Sequence, residues 1–432
     1  MAENIVSAVS SSAQPPEDLG GENKIPRESP SYVPTLALVN FGVYIALLTP
    51  VLVSLALRVQ ALVGIEQATS TLSLVLAVGA IFALFANPLA GRLSDRTTSR
   101  WGMRRPWIIC GGIAGFLSLV LVASANSVPL LIVGWCLAQM TLNAVLAAAN
   151  ATLPDQVAPE RRGLPSGIVG MATPLGILAG SILVNAFDSD FGRFVAPAAI
   201  ALVFSILFAL TLNDRKLTEK PGRFSVREFF GSFVFDPRKS PDFGWVWLTK
   251  FMFMFAYVGV STFLPYYLIQ DFGIPVADVA GTIVLVNVVG VAATVLASFL
   301  GGMLSDKLGR RRPILLFSGL VMACGLLLLA FAGSIPAVLI AQGFVGLGAG
   351  AFFAVDLALA TQVLPSEKDN AKDLGVLNMA NALPQSIAPA LAIPVMALGG
   401  VIGLGDYEAW YIFGALAAAF AGVLIYKVRG VR

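Results

Sequence analysis

Two ionisable side chains stand deep in apolar sequence. Asp356 lies in GAFFAVDLALA and Lys250 in VWLTKFMFMF. A charged Asp at the centre of a membrane helix costs about 2.5–3.5 kcal/mol on insertion scales, so its presence asks for a role. Both residues fall at a similar depth from the same end of their apolar runs, and we expect them to pair. Three uses of the pair stay open. Asp356 carries a proton and frees Lys250 when protonated; or the two form a static, neutralised pair that stiffens one bundle; or Lys250 binds an anionic solute such as a uronide. Uncharged polar residues stand in the other runs at helical spacing: Asn40 and Tyr44; Gln139, Asn143 and Asn150; Met254, Tyr257 and Ser261 on the stripe of Lys250; Asn378, Asn381 and Gln385. Amides and phenols suit the recognition of hydroxyl groups, and the competing use of amides is to bond helices to each other.

Other chemistry is excluded by what the chain lacks. With no histidine among 432 residues, Ser-His-Asp and Cys-His catalysis and imidazole relays are gone. Three cysteines, Cys110, Cys136 and Cys324, all within apolar runs, form neither a disulfide framework nor a metal-ligand pattern. No Gly-rich phosphate loop follows a strand pattern, so ATP gives no drive. No catalytic residues, metal or cofactor are expected, and energy comes from a gradient or from the solute itself.

The elements that must position these residues are membrane helices. The chain is 57% hydrophobic and 12% charged, far from a soluble composition. By the length needed to cross a bilayer, twelve spans are expected, at roughly 35–57, 70–92, 107–125, 129–152, 164–187, 193–213, 244–270, 278–303, 313–333, 336–361, 375–400 and 408–427. Residues 1–34, polar and rich in Ser, Pro and Glu, read as a disordered tail. An even number of spans puts both termini on one side. Placing them in the cytoplasm leaves only Arg58 and Arg193, of 28 Lys and Arg residues, on the other side. The net charge of +3 belongs to these loops and gives no support to nucleic-acid binding. The expected organisation is a first bundle at 35–213, a linker at 214–243 and a second bundle at 244–432. The linker carries Arg215, Lys216, Lys220, Arg223, Arg227, Arg238 and Lys239, read first as a topology signal on a plain connection, with rest on anionic lipid headgroups as the alternative.

A motif occurs twice between spans. GRLSDRTTSRWGMRRP (Gly91–Pro106) and GMLSDKLGRRRP (Gly302–Pro313) match at Gly91, Leu93, Ser94 and Asp95 with a constant offset of 211 residues. Leu153-Pro154 and Leu364-Pro365 keep the same offset. Two similar halves in an apolar chain suit alternating access around a central site. Asp95, Arg96, Arg104 and Arg105 in one loop, and Asp306, Arg310, Arg311 and Arg312 in the other, are the candidate gating residues. Their charges are expected to hold the halves together on one side and release on the other.

This motif resembles the cytoplasmic loop signature of the major facilitator superfamily, found there between helices 2 and 3 and again between 8 and 9. The extended first copy, DRTTSRWGMRRP, with seven residues from Asp95 to Gly102 against three from Asp306 to Gly309, is similar to that of sucrose porters and the glycoside–pentoside–hexuronide group. Residues Val355–Ala392 resemble bacterial members of that branch. The resemblance implies an all-α integral membrane protein with twelve helices in two pseudo-symmetric six-helix bundles, whose helices 1, 4, 7 and 10 line a central cavity. Asn40, Tyr44, Gln139, Asn143, Asn150 and Tyr257 are then the expected solute-binding residues, and Asp356 with Lys250 the expected proton-coupling pair. The implied function is proton-coupled uptake of a sugar or glycoside by a monomer in the cell membrane, with protons and lipids as its other partners. Helix 5, GIVGMATPLGILAG (Gly167–Gly180), matches the Gly-Pro pattern of drug–proton antiporters only in part. Proton-driven efflux of an amphipathic small molecule is therefore the alternative.

Overall fold

Hydropathy and helix-breaking residues together set the elements. The computed structural model describes residues 29–157, 163–217, 238, 240–308, 310–360 and 370–428. Most of the expected tail, residues 218–237 and 239 of the linker, Gly309 and the Leu364-Pro365 pair lie outside them; so do the side chains of Asp306 and Asn378. Among the described residues, twelve helices are long and apolar enough to cross a membrane. The first six are α1 (Tyr32–Val63), α2 (Ile65–Ser94), α3 (Arg105–Ser124), α4 (Val128–Asn150), α5 (Ile168–Asn185) and α6 (Asp190–Thr211). The last six are α7 (Pro241–Thr262), α8 (Val276–Leu308), α9 (Arg312–Ala330), α10 (Ile335–Ala360), α11 (Asn370–Val401) and α12 (Asp406–Leu424). Large apolar side chains left exposed, such as Leu210, Phe299 and Phe317, belong against hydrocarbon. The chain is a multi-pass membrane protein.

Several helix bounds differ from the sequence expectation, each for a local reason. The first helix was expected to end near 57 and continues to Val63, where Gly64 at φ +77° breaks it. Inside it, Pro50 opens a wide π-turn, Pro50–Ser54, because proline lacks the N–H that an ordinary turn needs. The expected span 244–270 is two helices: α7 stops at Thr262, and a short helix follows at Leu264–Gln270. Pro265 donates no hydrogen bond there, and its ring crowds the carbonyl one turn earlier. After α4, residues Thr152–Gln156 form a separate short helix.

The helices form two six-helix bundles. Between the bundles, α2 packs along α11 and α5 along α8. Within the second bundle, α10 lies directly on α8. A Cβ on Gly346 would sit 2.3 Å from the Gly290 carbonyl oxygen, and one on Gly350 2.1 Å from that of Thr294. Such close backbone approach is how small residues bring membrane helices together.

The two loops of the repeated motif define one face of the molecule, here the motif face; the opposite one is the far face. Arg58 and Arg193, the cations placed apart from the rest, both reach Asp190 on the far side, at 3.1 and 3.6 Å. Arg58 also donates to the Ala125 carbonyl at 2.6 Å. Among the described residues, three hydrogen bonds join the bundles on that side. The Tyr266 hydroxyl donates to the Ala56 carbonyl at 2.8 Å, Asn287 Nδ2 donates to Ser181 Oγ at 2.7 Å, and the Thr69 and Tyr407 hydroxyls meet at 3.4 Å.

Candidate functional site

The π-turn at Pro50 turns Leu52 toward a cavity of about 40 Å³ between the bundles, room for a few waters. Its two walls differ. The first bundle contributes Leu52, Pro174 and Ile177, all apolar. The second contributes Tyr257 and Ser261 from α7, Asn287 and Thr294 from α8, and Gln342 from α10, with Gly290, Val291 and Gly346 between them. Among the described residues, no charged side chain lines it. Tyr257 lies about 24 Å along α7 from its start, so the cavity is deep in the membrane region.

The lining groups keep hydrogen-bonding capacity to different degrees. Thr294 Oγ1 returns to the Gly290 carbonyl at 2.8 Å and is satisfied within its helix. Gln342 is 8% exposed, and its side-chain oxygen is buried with no partner among the described residues. An orphaned amide oxygen in a membrane interior is costly, so Gln342 is an acceptor in want of a donor. Tyr257 is held edge-on by Phe353, ring centroids 5.5 Å apart, which sets the direction of its phenol.

Of the residues expected to bind solute, Tyr257 is in this lining. Asn40, Tyr44, Gln139, Asn143 and Asn150 are not. Asn40 is fully buried and donates to the Leu36 carbonyl of its own helix at 2.9 Å, leaving its Oδ1 unpartnered. Tyr44 of α1 lies against α5 at Gly176. Asn143 donates to Gln139, to the backbone oxygen at 2.8 Å and the side-chain oxygen at 3.0 Å. Asn150 is exposed at the motif-face end of α4. Asn287 and Gln342 escaped the sequence reading. Each is a lone amide in an apolar run; Gln342 has no polar neighbour at helical spacing, and Asn287 has only Thr294 two turns on. That isolation was the available signal.

The ion pair expected from sequence is present as a contact. Lys250 Nζ and Asp356 Oδ2 lie 2.7 Å apart, joining α7 to α10, with both residues buried. It stands apart from the cavity. Lys250, Phe253 and Tyr257 climb α7 in order, while Gln342, Phe352 and Asp356 descend α10 in the opposite sense. The rings of Phe253 and Phe352 stack at 3.8 Å in the layer between. The pair is therefore about 10 Å toward the motif face from Tyr257.

The first motif loop is a tight network within the first bundle. Arg104, one of the candidate gating residues, is buried. It forms ion pairs with Asp95 and, at 3.5 Å, with Asp155, and donates to Ser94 Oγ at 2.5 Å. Asp214 accepts from the backbone N–H groups of Arg104 and Arg105, each at 2.8 Å, at the start of α3. The Arg105 guanidinium donates to the Leu212 carbonyl, and Gln156 to that of Asn213 at 2.6 Å. Gly102 takes φ +113°, and a Cβ there would collide with the Asp214 carboxylate. Burial pushes the Asp214 carboxyl above its ordinary value, against the opposing pull of the two N–H donors and the two arginine charges. In the second loop Arg310 is exposed at the start of α9, and Arg311 and Arg312 open that helix.

The sequence pattern of the Major Facilitator Superfamily matches residues 34–295 and again 281–432. The chain belongs to this superfamily. It is a membrane transporter rather than an enzyme. One relative, the cis,cis-muconate transport protein of Acinetobacter baylyi, is 24% identical over 295 residues, covering 66% of this chain and 70% of that protein. The general alpha-glucoside permease of Schizosaccharomyces pombe is 25% identical over 229 residues, covering 47% of this chain and 39% of the permease. This superfamily member shares its fold with the nucleoside transporter NupG, solved in a mutant form: TM-score 0.72, 14% identity, covering 92% of this chain and 98% of that one.

Proposed function

We propose that this transporter takes up a neutral, hydroxyl-bearing solute, a sugar or glycoside, together with a proton by alternating access. The observation that carries this reading is the cavity: one wall of uncharged hydrogen-bonding groups, with the buried Lys250–Asp356 pair one aromatic layer away. An anionic solute would find no cation in that lining, and Lys250 is already engaged by Asp356. Tyr257, Ser261, Asn287 and Gln342 bind the solute. Asp356 takes the proton and releases Lys250, the transporter's coupling step. At about 40 Å³ the cavity is smaller than a sugar, so the solute enters only when the bundles part.

On the same reading the motif face is cytoplasmic, because positive charge gathers there, and both termini lie inside the cell membrane's cytoplasmic side. The bundles 35–213 and 244–432 move against each other about the linker 214–243 in a monomer. The Asp95–Arg104–Asp155 network makes the first bundle rigid at that face, and Arg96, Arg105, Asp306, Arg310, Arg311 and Arg312 complete the gate. One observation favours efflux of an amphipathic compound as the second reading: the wall of Leu52, Pro174 and Ile177 is wholly apolar.

The test is reconstitution in liposomes, recording external pH while disaccharides and glycosides are added. Alkalinisation that needs a particular sugar and vanishes with a protonophore is the expected result. A pH trace indifferent to every neutral sugar, with a response to an amphipathic cation or a dicarboxylate, would overturn it.

A further inference from the structure

The bond between Asn287 and Ser181 crosses from one bundle to the other at the edge of the cavity. Asn287 is in the cavity lining, and Ser181 sits one turn beyond Ile177, which is also in it. Both partners are buried, at 8% and 2% exposure. The geometry is complete on the serine side. Its hydroxyl donates to the Ile177 carbonyl at 2.8 Å, which leaves a lone pair to accept Asn287 Nδ2 at 2.7 Å. Next to it, Gly281 of α8 faces the Asn185 side chain of α5, so the two helices stay neighbours toward the far face.

The other two far-face links are different in kind. Tyr266 donates to a backbone carbonyl, and the Thr69–Tyr407 contact is long at 3.4 Å. Only the Asn287–Ser181 bond, of these three, joins two side chains at short distance inside the protein. A helix backbone carries its own hydrogen bonds through any rocking motion, whereas a side-chain pair between bundles must break when they part. An amide and a hydroxyl separated in this apolar setting lose a bond that water does not replace until the gap opens.

We propose that Asn287, besides its place in the cavity lining, is the latch of the far gate: it holds α8 to α5 through Ser181 and keeps the cavity shut on that side. The inference rests on the alternating-access reading of the cavity but requires no solute. Its consequence is that this bond adds to the Tyr266–Ala56 link in holding down the far-side open state, whose population rises when the Asn287–Ser181 bond is removed.

The experiment measures the distance between nitroxide labels carried on ketone-bearing unnatural residues at Asp188 and Ser334, both exposed on the far face, in nanodiscs without solute. Wild type is expected to be dominated by the short distance. Ser181→Ala raises the long-distance fraction about threefold, the effect of losing an average interhelical hydrogen bond in a membrane. Asn287→Ala does the same, and the double variant goes no further, because both remove one bond. Ser181→Thr restores the wild-type distribution, and Thr69→Ala leaves it in place. An unchanged distribution in Ser181→Ala, or full addition of the two effects in the double variant, overturns the latch. Should Asn287→Ala fail to fold, the contrast between Ser181→Ala and Ser181→Thr decides alone. Failure of every sugar to move protons would reject the proposed function and leave this distance result standing.

Discussion

At the scale of single residues, the chemistry divides into two layers: charge at Lys250 and Asp356, neutral hydrogen bonding at Tyr257, Asn287 and Gln342. Replacing Asp356 by Asn strands the Lys250 ammonium without its partner in a buried site, where unpaired charge is strongly unfavourable. On the proposed reading, Asp356→Asn abolishes sugar accumulation driven by a pH difference but retains exchange of sugar across the membrane at equal pH. Full gradient-driven accumulation in that variant would rule out the carrier role. Gln342→Leu keeps the volume and removes the orphaned amide oxygen. It is expected to raise KM for the sugar about tenfold, the loss of one to two hydrogen bonds, with little change in thermal stability. A KM equal to wild type would remove Gln342 from the solute contacts. The ion pair was legible in sequence because two charges at equal depth in facing helices have few alternatives. The cavity amides were not: helix rotation decides whether a lone Asn or Gln faces a cavity, a neighbour or lipid, and hydropathy carries no rotation signal in a helix apolar all round.

At the scale of elements, two devices position the site. The first is the fit of α10 on α8 through Gly346 and Gly350, which sets where Gln342 and Asn287 stand relative to each other. Gly350→Val places side-chain atoms where the Thr294 carbonyl already lies. It is expected to lower the unfolding temperature and abolish transport together; wild-type uptake in a folded variant would contradict the packing argument. The second is the clamp of Asp214 on the start of α3. Asp214→Ala removes the acceptor of two helix-terminal N–H groups and is expected to cost about 1 kcal/mol of stability, read as a lower unfolding temperature with KM unchanged. The pH dependence follows from the raised carboxyl. A group raised in the folded state contributes its stability below the ordinary value and loses it as pH climbs through the raised one. The margin of wild type over Asp214→Asn should therefore widen as pH falls toward 3.8. The twelve spans were legible because about 20 apolar residues have one use in a chain like this. The break at Phe263 and the clamp at Asp214 were not. A proline in a membrane span marks a kink, a π-turn or a break alike, and Asp214 meets Arg104 only after α3 and α6 have packed.

For the whole molecule, the two bundles meet along α2–α11 and α5–α8 and enclose a cavity that is neutral on one wall and greasy on the other. The duplication offset of 211 residues made the two-bundle plan readable in the sequence. What the duplication hides is the asymmetry between halves: the polar lining and the buried ion pair both belong to the second bundle. The first supplies an apolar wall and the Arg104 network. On the proposed reading, the second bundle recognises and couples while the first serves as the rigid surface against which it rocks. The most direct measurement is accumulation of labelled sugar in liposomes with an imposed inward proton gradient, compared with equal pH and with a sodium gradient. The account predicts accumulation above the external concentration only with the proton gradient, collapsing on addition of a protonophore. Uptake that follows sodium, or that merely equilibrates whatever the pH difference, would contradict it.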